Sequence, residues 1–429
     1  MHYEKFQDGT VKCIEDEIPF EVPEGWCWAR LRDICMMSAG KSKSTDQIKS
    51  EPFDGSYPCF GGNGVRGYVD EYNQDGTFSI VGRQGALCGN INIASGKFYA
   101  TEHAVVTTLF AGIVFKWSNY ILEALRLNNY ATGAAQPGLS VANILNVFVP
   151  VPSNQEQDRI GSNVDEFLKI AAVLEQEKID LQKIVITAKR KILDLAIHGK
   201  LVPQDPNDEP ASVLLERIRV EKEELIKQGK IKRNKKESVI FKGSDNSYYG
   251  IHLPDGWNWA SLREIALSIS DGSHNPPPDN GSGIPLLSAA NINDNSILMN
   301  EISRWITNEK WEIENQRTNI EVGDVLLTIV GSIGRSAVVQ NDNHFALQRS
   351  VAVIKPCLIN PLYLMHIVQS PQIQKWLTDN SKGTAQKGIY LNALSLMIIP
   401  IPPLAEQARI VEQIYIAYKQ LDLISNALL

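Results

Sequence analysis

The sequence predicts a mixed α/β chain: two tandem domains of short strands and helices, joined by long helices that form a coiled coil. Three observations carry this reading. An internal repeat covers most of the chain, short β-rich runs alternate with glycine-rich turns inside each copy, and a heptad row of apolar residues follows each copy.

The repeat opens with Pro23-Glu24-Gly25-Trp26 and runs to Ile34; Pro254-Asp255-Gly256-Trp257, with Trp259, Leu262 and Ile265 in step, stands 231 positions later. Farther on, Gly133-Ala134-Ala135-Gln136-Pro137-Gly138-Leu139 matches Gly383-Thr384-Ala385-Gln386-Lys387-Gly388-Ile389. Pro150-Val151-Pro152 matches Pro400-Ile401-Pro402, and Glu156-Gln157-Asp158-Arg159-Ile160 matches Glu406-Gln407-Ala408-Arg409-Ile410, all 250 positions apart. The drift in offset falls inside each copy, roughly 40–130 and 270–380, where Gly, Asn, Asp and Ser concentrate and loops are expected. Similar ends around unlike interiors describe one scaffold with two different reading surfaces; neutral drift between two structural domains is the plainer alternative.

Phe78-Ser79-Ile80-Val81 and Val325–Val330 read as strands, and Asn119–Leu127 as a helix. Ser153 followed by Glu156 fits a capping box, which satisfies orphan amides at a helix start. The helix it opens, through about His198, would reach roughly 60 Å. Ile160, Val164, Phe167, Ala171, Leu174, Leu181, Val185, Ala188, Ile192 and Leu195 follow alternating four-three spacing, interrupted at Lys178. Ile410, Ile414, Ala417, Leu421, Ile424 and Leu428 repeat the phase, so two copies of one seam can pair; packing of each helix on its own domain is the alternative. Pro203–Ala211 breaks the helix, and Ser212–Ile231 resumes a charged helical pattern. Lys227, Lys230, Lys232, Arg233, Lys235 and Lys236 then form a basic run, read as a solvated linker or as a strap for phosphates. The boundaries expected are a first domain at 1–152, a helix at 153–200, a helical and basic linker at 201–250, a second domain at 251–402 and a closing helix at 403–429.

At 429 residues, 43% hydrophobic and 21% charged, the chain is long enough for two cores. No apolar run approaches a membrane span and the polar start is unlike a secretory signal, so a cytoplasmic protein without membrane contact is expected. Six cysteines without a CxxC pair predict reduced thiols and no metal site. The net charge of −7 argues against a nonspecific nucleic-acid coat, yet a local basic cleft can coexist with acidic faces.

No catalytic motif survives inspection. Gly62-Asn63-Gly64-Val65-Arg66-Gly67 fits GxGxxG, but the following residues read as strand and turn where a dinucleotide site needs a helix. Gly40-Lys41-Ser42 resembles the end of a P-loop whose first glycine would fall on Cys35. Asn275-Pro276-Pro277-Pro278 lacks the aromatic of an amino-methyltransferase loop, and the seven histidines show no ligand spacing. The chain is therefore expected to be no enzyme and to hold no cofactor.

The arrangement resembles the specificity subunits of type I restriction-modification enzymes. Ile192-Leu193-Asp194-Leu195-Ala196-Ile197-His198-Gly199-Lys200-Leu201-Val202-Pro203-Gln204, continuing through Pro206–Ala211, is similar to their central conserved region. The P-[ED]-G-W-x-W openings and the P-x-P and E-Q-x-R-I helix entries are typical as well. The resemblance implies two target-recognition domains joined by antiparallel helices, reading double-stranded DNA. It also implies two methylation subunits and restriction/translocase subunits as partners, which would carry AdoMet, ATP and Mg. The closing helix departs from the pattern, since a full copy of the first would run past Leu429.

Two such domains would read a bipartite, asymmetric target, one half-site each. Direct readout needs Arg, Gln, Asn, Lys or Ser on loops able to enter the major groove. The candidates are Lys41, Lys43, Asn63, Arg66, Arg83, Gln84 and Gln136 in the first copy. In the second they are His274, Asn275, Ser332, Arg335, Gln348, Arg349, Gln386 and Lys387. The matching glycine loops 133–138 and 383–388 would place both halves alike on phosphate. Glu156, Gln157, Arg159, Glu406, Gln407 and Arg409 would cap helices or bind the methylation subunits. A stand-alone duplicated binding scaffold without DNA specificity is the alternative function.

Overall fold

The structure, a computed structural model, describes residues 1–133, 137–233, 247–383 and 387–428. The chain divides into two compact units, Met1–Gln176 and Glu177–Leu429.

In unit 1, β1 (Cys27–Arg30) leads through the single turn α1 (Leu31–Ile34) into β2 (Cys35–Ala39). Next come β3 (Tyr57–Gly61), β4 (Gly64–Val69), β5 (Gln74–Gly82), β6 (Ile91–Ala100) and β7 (Ala104–Leu109). They form one six-stranded sheet in the order β2-β7-β5-β6-β3-β4, antiparallel except where β3 lies parallel to β6. The Gly62–Gly67 stretch is thus a hairpin of this sheet. The α2 helix (Phe115–Ala124) lays buried Trp117 and Leu122 on a core that includes Leu31, Ile34 and Val105. It begins and ends earlier than the sequence pattern suggests, with a 3-10 turn at Leu127–Tyr130 completing the segment. The β8 strand (Phe148–Val151) returns to pair antiparallel with β1.

Helix α3 (Asn154–Ile197) follows, 44 residues and about 66 Å long. Only half of the expected capping box forms: Ser153 Oγ accepts from the Glu156 amide at 3.4 Å, while the Glu156 carboxylate is drawn to Trp26 instead.

Unit 2 contains helix α4 (Ala211–Lys227), then β9 (Asn258–Ser261), the turn α5 (Leu262–Ile265) and β10 (Ala266–Asp271). After them come β11 (Val325–Thr328), β12 (Ser336–Val338), β13 (Val351–Pro356), α6 (Pro361–Val368), β14 (Ile398–Ile401) and α7 (Leu404–Ala427). Here β10-β13-β11-β12 make an antiparallel sheet, and β9 pairs with β14 as β1 does with β8. Strand order β10-β13-β11 repeats β2-β7-β5. The units diverge between these shared strands: in unit 2 the parallel pair Ile284–Leu287 and Ala346–Leu347, the counterpart of β3 and β6, stands in a separate small sheet with Trp305–Ile306, and a helix, Asn308–Thr318, is added.

Within unit 2 the last turns of α3 run antiparallel to α7. Lys189 bonds Asp422 and its carbonyl accepts from the Tyr418 hydroxyl at 3.3 Å, whereas Gln204, beyond the helix end, reaches Glu406 at 2.7 Å. Leu193, Ala196, Ile197, Ile410 and Ile414 are buried there in one core. The apolar seam read from the sequence is covered only in part. Phe167 and Leu174 are 70% and 60% exposed, and Ile424 is exposed as well. Heptad spacing aligns apolar side chains on one face, but it does not by itself supply a partner for every turn.

His366 on α6 is buried against the Tyr418 ring, and loss of water holds its pKa down to about 4. As pH falls below about 6.5 the unfolded chain takes up a proton there that the folded one refuses, so stability drops until about pH 4. The expected loss is about 3 kcal/mol across that window, at roughly 1.4 kcal/mol per pH unit. Urea midpoints of wild type and His366→Leu across the window check it; parallel pH profiles would remove His366 as the cause.

Candidate nucleic-acid interface

The shared strands end in the same backbone knot in both units. In unit 1 the Gly40 amide donates to the Ala104 carbonyl (3.0 Å), Thr101 to Phe60 (3.0 Å), Arg83 to His103 (2.9 Å) and Leu139 to Arg83 (2.8 Å). In unit 2 Gly272 donates to Val351 (3.2 Å), Gln348 to Leu287 (2.8 Å), Ile329 to Ser350 (2.8 Å) and Ile389 to Ile329 (2.9 Å). The glycine loops close alike: the Thr132 and Gly138 amides exchange bonds with each other's carbonyls, as do those of Lys382 and Gly388. One edge of each unit thus gathers five chain segments whose backbone bonds are equivalent and whose side chains are not.

On the unit 1 edge, Asn63, Arg66, Gln84 and His103 line an open pocket of about 440 Å³ floored by Gly62 and Gly85. Asn63 Oδ1 accepts from Asn90 Nδ2 at 2.9 Å, and Arg66 donates to Thr45 Oγ1 at 3.1 Å. Lys41 and Arg83 are exposed beside them. Lys43 is not brought to this pocket. It pairs with Glu71 at 2.6 Å against the Tyr99 ring, and the Glu71 bond raises its pKa.

On the unit 2 edge, His274 lies between Asp271 (2.8 Å) and Arg317 (3.2 Å), with Asn275 exposed after it. Ser332 and Arg335 sit on the turn joining β11 to β12, fixed by the Thr328 amide donating to the Arg335 carbonyl at 2.9 Å. Gln348 and the exposed Arg349 follow the strand Ala346–Leu347, and the Lys387 carbonyl accepts from the Gly331 amide at 3.1 Å. Gln136 and Gln386 lie outside the described residues.

Two edge residues escaped the sequence reading. Glu102 and His103, 3.3 Å apart, occupy the places of Arg349 and Ser350. Thr101-Glu102-His103 shares no residue with Gln348-Arg349-Ser350, so no repeat signal marks it. Phosphate-seeking logic passes over an acid, yet a carboxylate can accept from the cytosine amino group.

The repeated Glu-Gln pairs are bolts inside each unit. Trp26 Nε1 donates to Glu156 (3.1 Å) and Trp257 Nε1 to Glu406 (2.9 Å). Gln157 accepts from the Val114 amide (2.9 Å) and donates to the Pro152 carbonyl (3.1 Å); Gln407 does the same with Asn360 (3.0 Å) and Pro402 (3.1 Å). Burial pushes the Glu406 carboxyl up, against the opposing pull of Gln204 and Trp257. Arg409 is spent on Asp208, while Arg159 is 74% exposed.

Comparison with known proteins agrees with this duplicated design. The model for the type I restriction modification DNA specificity domain matches residues 23–183 and again 254–428. The chain is 42% identical over 168 residues to the type I restriction enzyme EcoprrI specificity subunit of Escherichia coli, a match covering 38% of this chain and 40% of that one. It is 25% identical to the EcoEI specificity subunit of the same species, over 99% of this chain and 83% of that one. The first of these relatives is therefore spanned over less than half its length. A crystal structure of the HsdS subunit from Thermoanaerobacter tengcongensis shares the fold, with a TM-score of 0.56 at 17% identity, covering 96% and 93% of the two chains.

Proposed function

The chain belongs to the family of type I restriction modification DNA specificity domains, and from that premise we propose that it reads a bipartite, asymmetric DNA target, one unit per half-site. The observation that carries the reading is the pair of equivalent edges with unlike side chains. Equivalent backbones set both units on DNA the same way, and the differing residues make the two half-sites differ. Within this proposal the edge residues Lys41, Asn63, Arg66, Arg83, Gln84, Glu102 and His103 address one half. His274, Asn275, Ser332, Arg335, Gln348, Arg349 and Lys387 address the other.

The chain itself carries no chemistry in this reading; methylation and restriction/translocase subunits supply it with AdoMet, ATP and Mg. The exposed apolar row on α3, including Phe167 and Leu174, is the surface proposed to receive methylation subunits, since exposed patches of this kind mark association. Among the described residues no helix is long and apolar enough to cross a membrane.

Duplex binding by the full chain, followed by fluorescence anisotropy across a salt series, tests the function. Affinity is expected to fall steeply as salt rises. Absence of salt-dependent binding would favour a scaffold without DNA specificity. Selection of bound sequences from a random pool then tests the division of labour: Arg349→Ala should relax one half-site by about 1–3 kcal/mol per base pair and leave the other intact. Equal relaxation of both halves would refute the assignment.

A further inference from the structure

A second basic surface lies on unit 2, away from the reading edge. Helix α4 ends at Lys227 with Gln228 as its cap, Gly229 takes φ +72, and the chain turns back with the Lys230 amide on the Leu225 carbonyl at 2.9 Å. Arg233 then binds Glu223 through both nitrogens, at 2.8 and 2.6 Å, which holds the 230–232 segment against the helix end. Lys222 fastens the same helix to α5 through the carbonyls of Arg263 (2.8 Å) and Glu264 (3.3 Å). An open groove of about 770 Å³ results, lined by Lys222, Lys230, Lys232, Arg263, Arg317 and Lys355. Glu321 also lines it; Lys355 meets its charge at 3.0 Å and that of Asp324 at 2.8 Å, and Arg317 pairs with the Asp271 carboxylate. Lys230 and Lys232 are exposed, and no acid among the described residues pairs with them.

The groove follows Ala266–Ile269 of β10, an edge strand of its sheet. At the far end of the same strand stands Asp271, whose carbonyl accepts from Arg317 at 2.9 Å, and Arg317 in turn reaches His274 of the reading edge. One side chain thus belongs to both surfaces. Six strand residues span about 20 Å, the rise of about six base pairs.

We infer that this groove seats the phosphates of duplex DNA without regard to sequence, extending the hold of unit 2 beyond the bases its edge addresses. The inference rests on the DNA-reading proposal. Continuity through Arg317 with the reading edge favours a phosphate backbone over an acidic peptide as the occupant.

The test is duplex binding by the full chain and by its Lys230→Gln/Lys232→Gln variant, with a random-sequence duplex, across a salt series. Both lysines are exposed, so the variant should melt as wild type does. Two lost phosphate contacts should lower the slope of log affinity on log salt by about 1.8. Wild type should therefore lose about 12-fold more affinity than the variant between 50 and 200 mM salt. Sequence preference in a random-pool selection should stay as in wild type, the opposite of what Arg349→Ala produces. An unchanged slope in a chain that binds DNA overturns the groove while leaving the reading edges standing. So does polyglutamate that binds wild type better than the variant while both bind DNA equally, because the groove then takes acidic peptide. A wild-type chain with no salt-dependent binding overturns the DNA reading itself, and this inference with it.

Discussion

Gly272→Ala is expected to unseat the unit 2 edge and Gly40→Ala the unit 1 edge, each abolishing discrimination at one half of the target alone. Neither glycine has a positive φ, so the argument is space and not backbone conformation. A Cβ on Gly272 would stand 2.1 Å from the Leu347 carbonyl oxygen and 2.6 Å from that of Gln348. On Gly40 it would stand 2.0 Å from the Ala100 oxygen and 2.7 Å from that of Thr101. These are backbone carbonyls, and the nearest of each pair already accepts from the amide next to the glycine, Ser273 to Leu347 at 2.7 Å and Lys41 to Ala100 at 3.0 Å, so they cannot swing away as a flexible side chain would. Relief has to come from parting the chain after β10 from Leu347–Gln348, or the chain after β2 from Ala100–Thr101, at the point where Gln348–Arg349 or Thr101–His103 are presented. The cost is about 3 kcal/mol or more, at the upper end for overpacking. Urea unfolding followed by tryptophan fluorescence should show the loss, and random-pool selection should show one half-site degenerate and the other retained. Wild-type stability and unaltered selection in either variant would contradict the close packing and its role.

That pair of glycines also shows what was legible in the sequence. Gly40 and Gly272 sit near the start of the divergent interior, where backbone bonds repeat and side chains do not, so the match between Thr101 and Gln348 left no trace in residue identity. The ends of the repeat were legible for the opposite reason. Trp26 and Trp257 have to meet Glu156 and Glu406, and Gln157 and Gln407 have to join two backbone segments, which requires those side chains at those places. Spacing showed that Glu156 opens a helix but misdirected its carboxylate, because the tryptophan that claims it is 130 residues away. The seam on α3 was over-read likewise. A heptad row says which face is apolar, and Phe167 and Leu174 have that face, but the spacing does not say what, if anything, covers it.

Gln407→Leu should destabilise unit 2 by several kcal/mol, and Gln157→Leu unit 1 similarly. Gln407 is fully buried and joins the entry to α6 to the end of β14: its Oε1 takes the Asn360 amide and its Nε2 serves the Pro402 carbonyl. Leucine fills a comparable volume and satisfies neither group, and each buried orphan costs about 1–3 kcal/mol. Arg159→Ala, at an exposed position of the same motif, should stay within about 0.5 kcal/mol of wild type. Gln407→Glu separates hydrogen bonding from packing. Glutamate keeps the acceptor for Asn360 but, ionised, turns a second oxygen on the Pro402 carbonyl; protonated, it can donate there as glutamine does. Its folded pKa should therefore lie above the unfolded value, so the variant's deficit shrinks as pH falls towards that value and grows as pH rises through the folded one. Urea midpoints of Gln407→Glu and wild type, compared across the acid range, decide the matter. A deficit that stays constant with pH would mean that the glutamine fills space and that its two bonds contribute little.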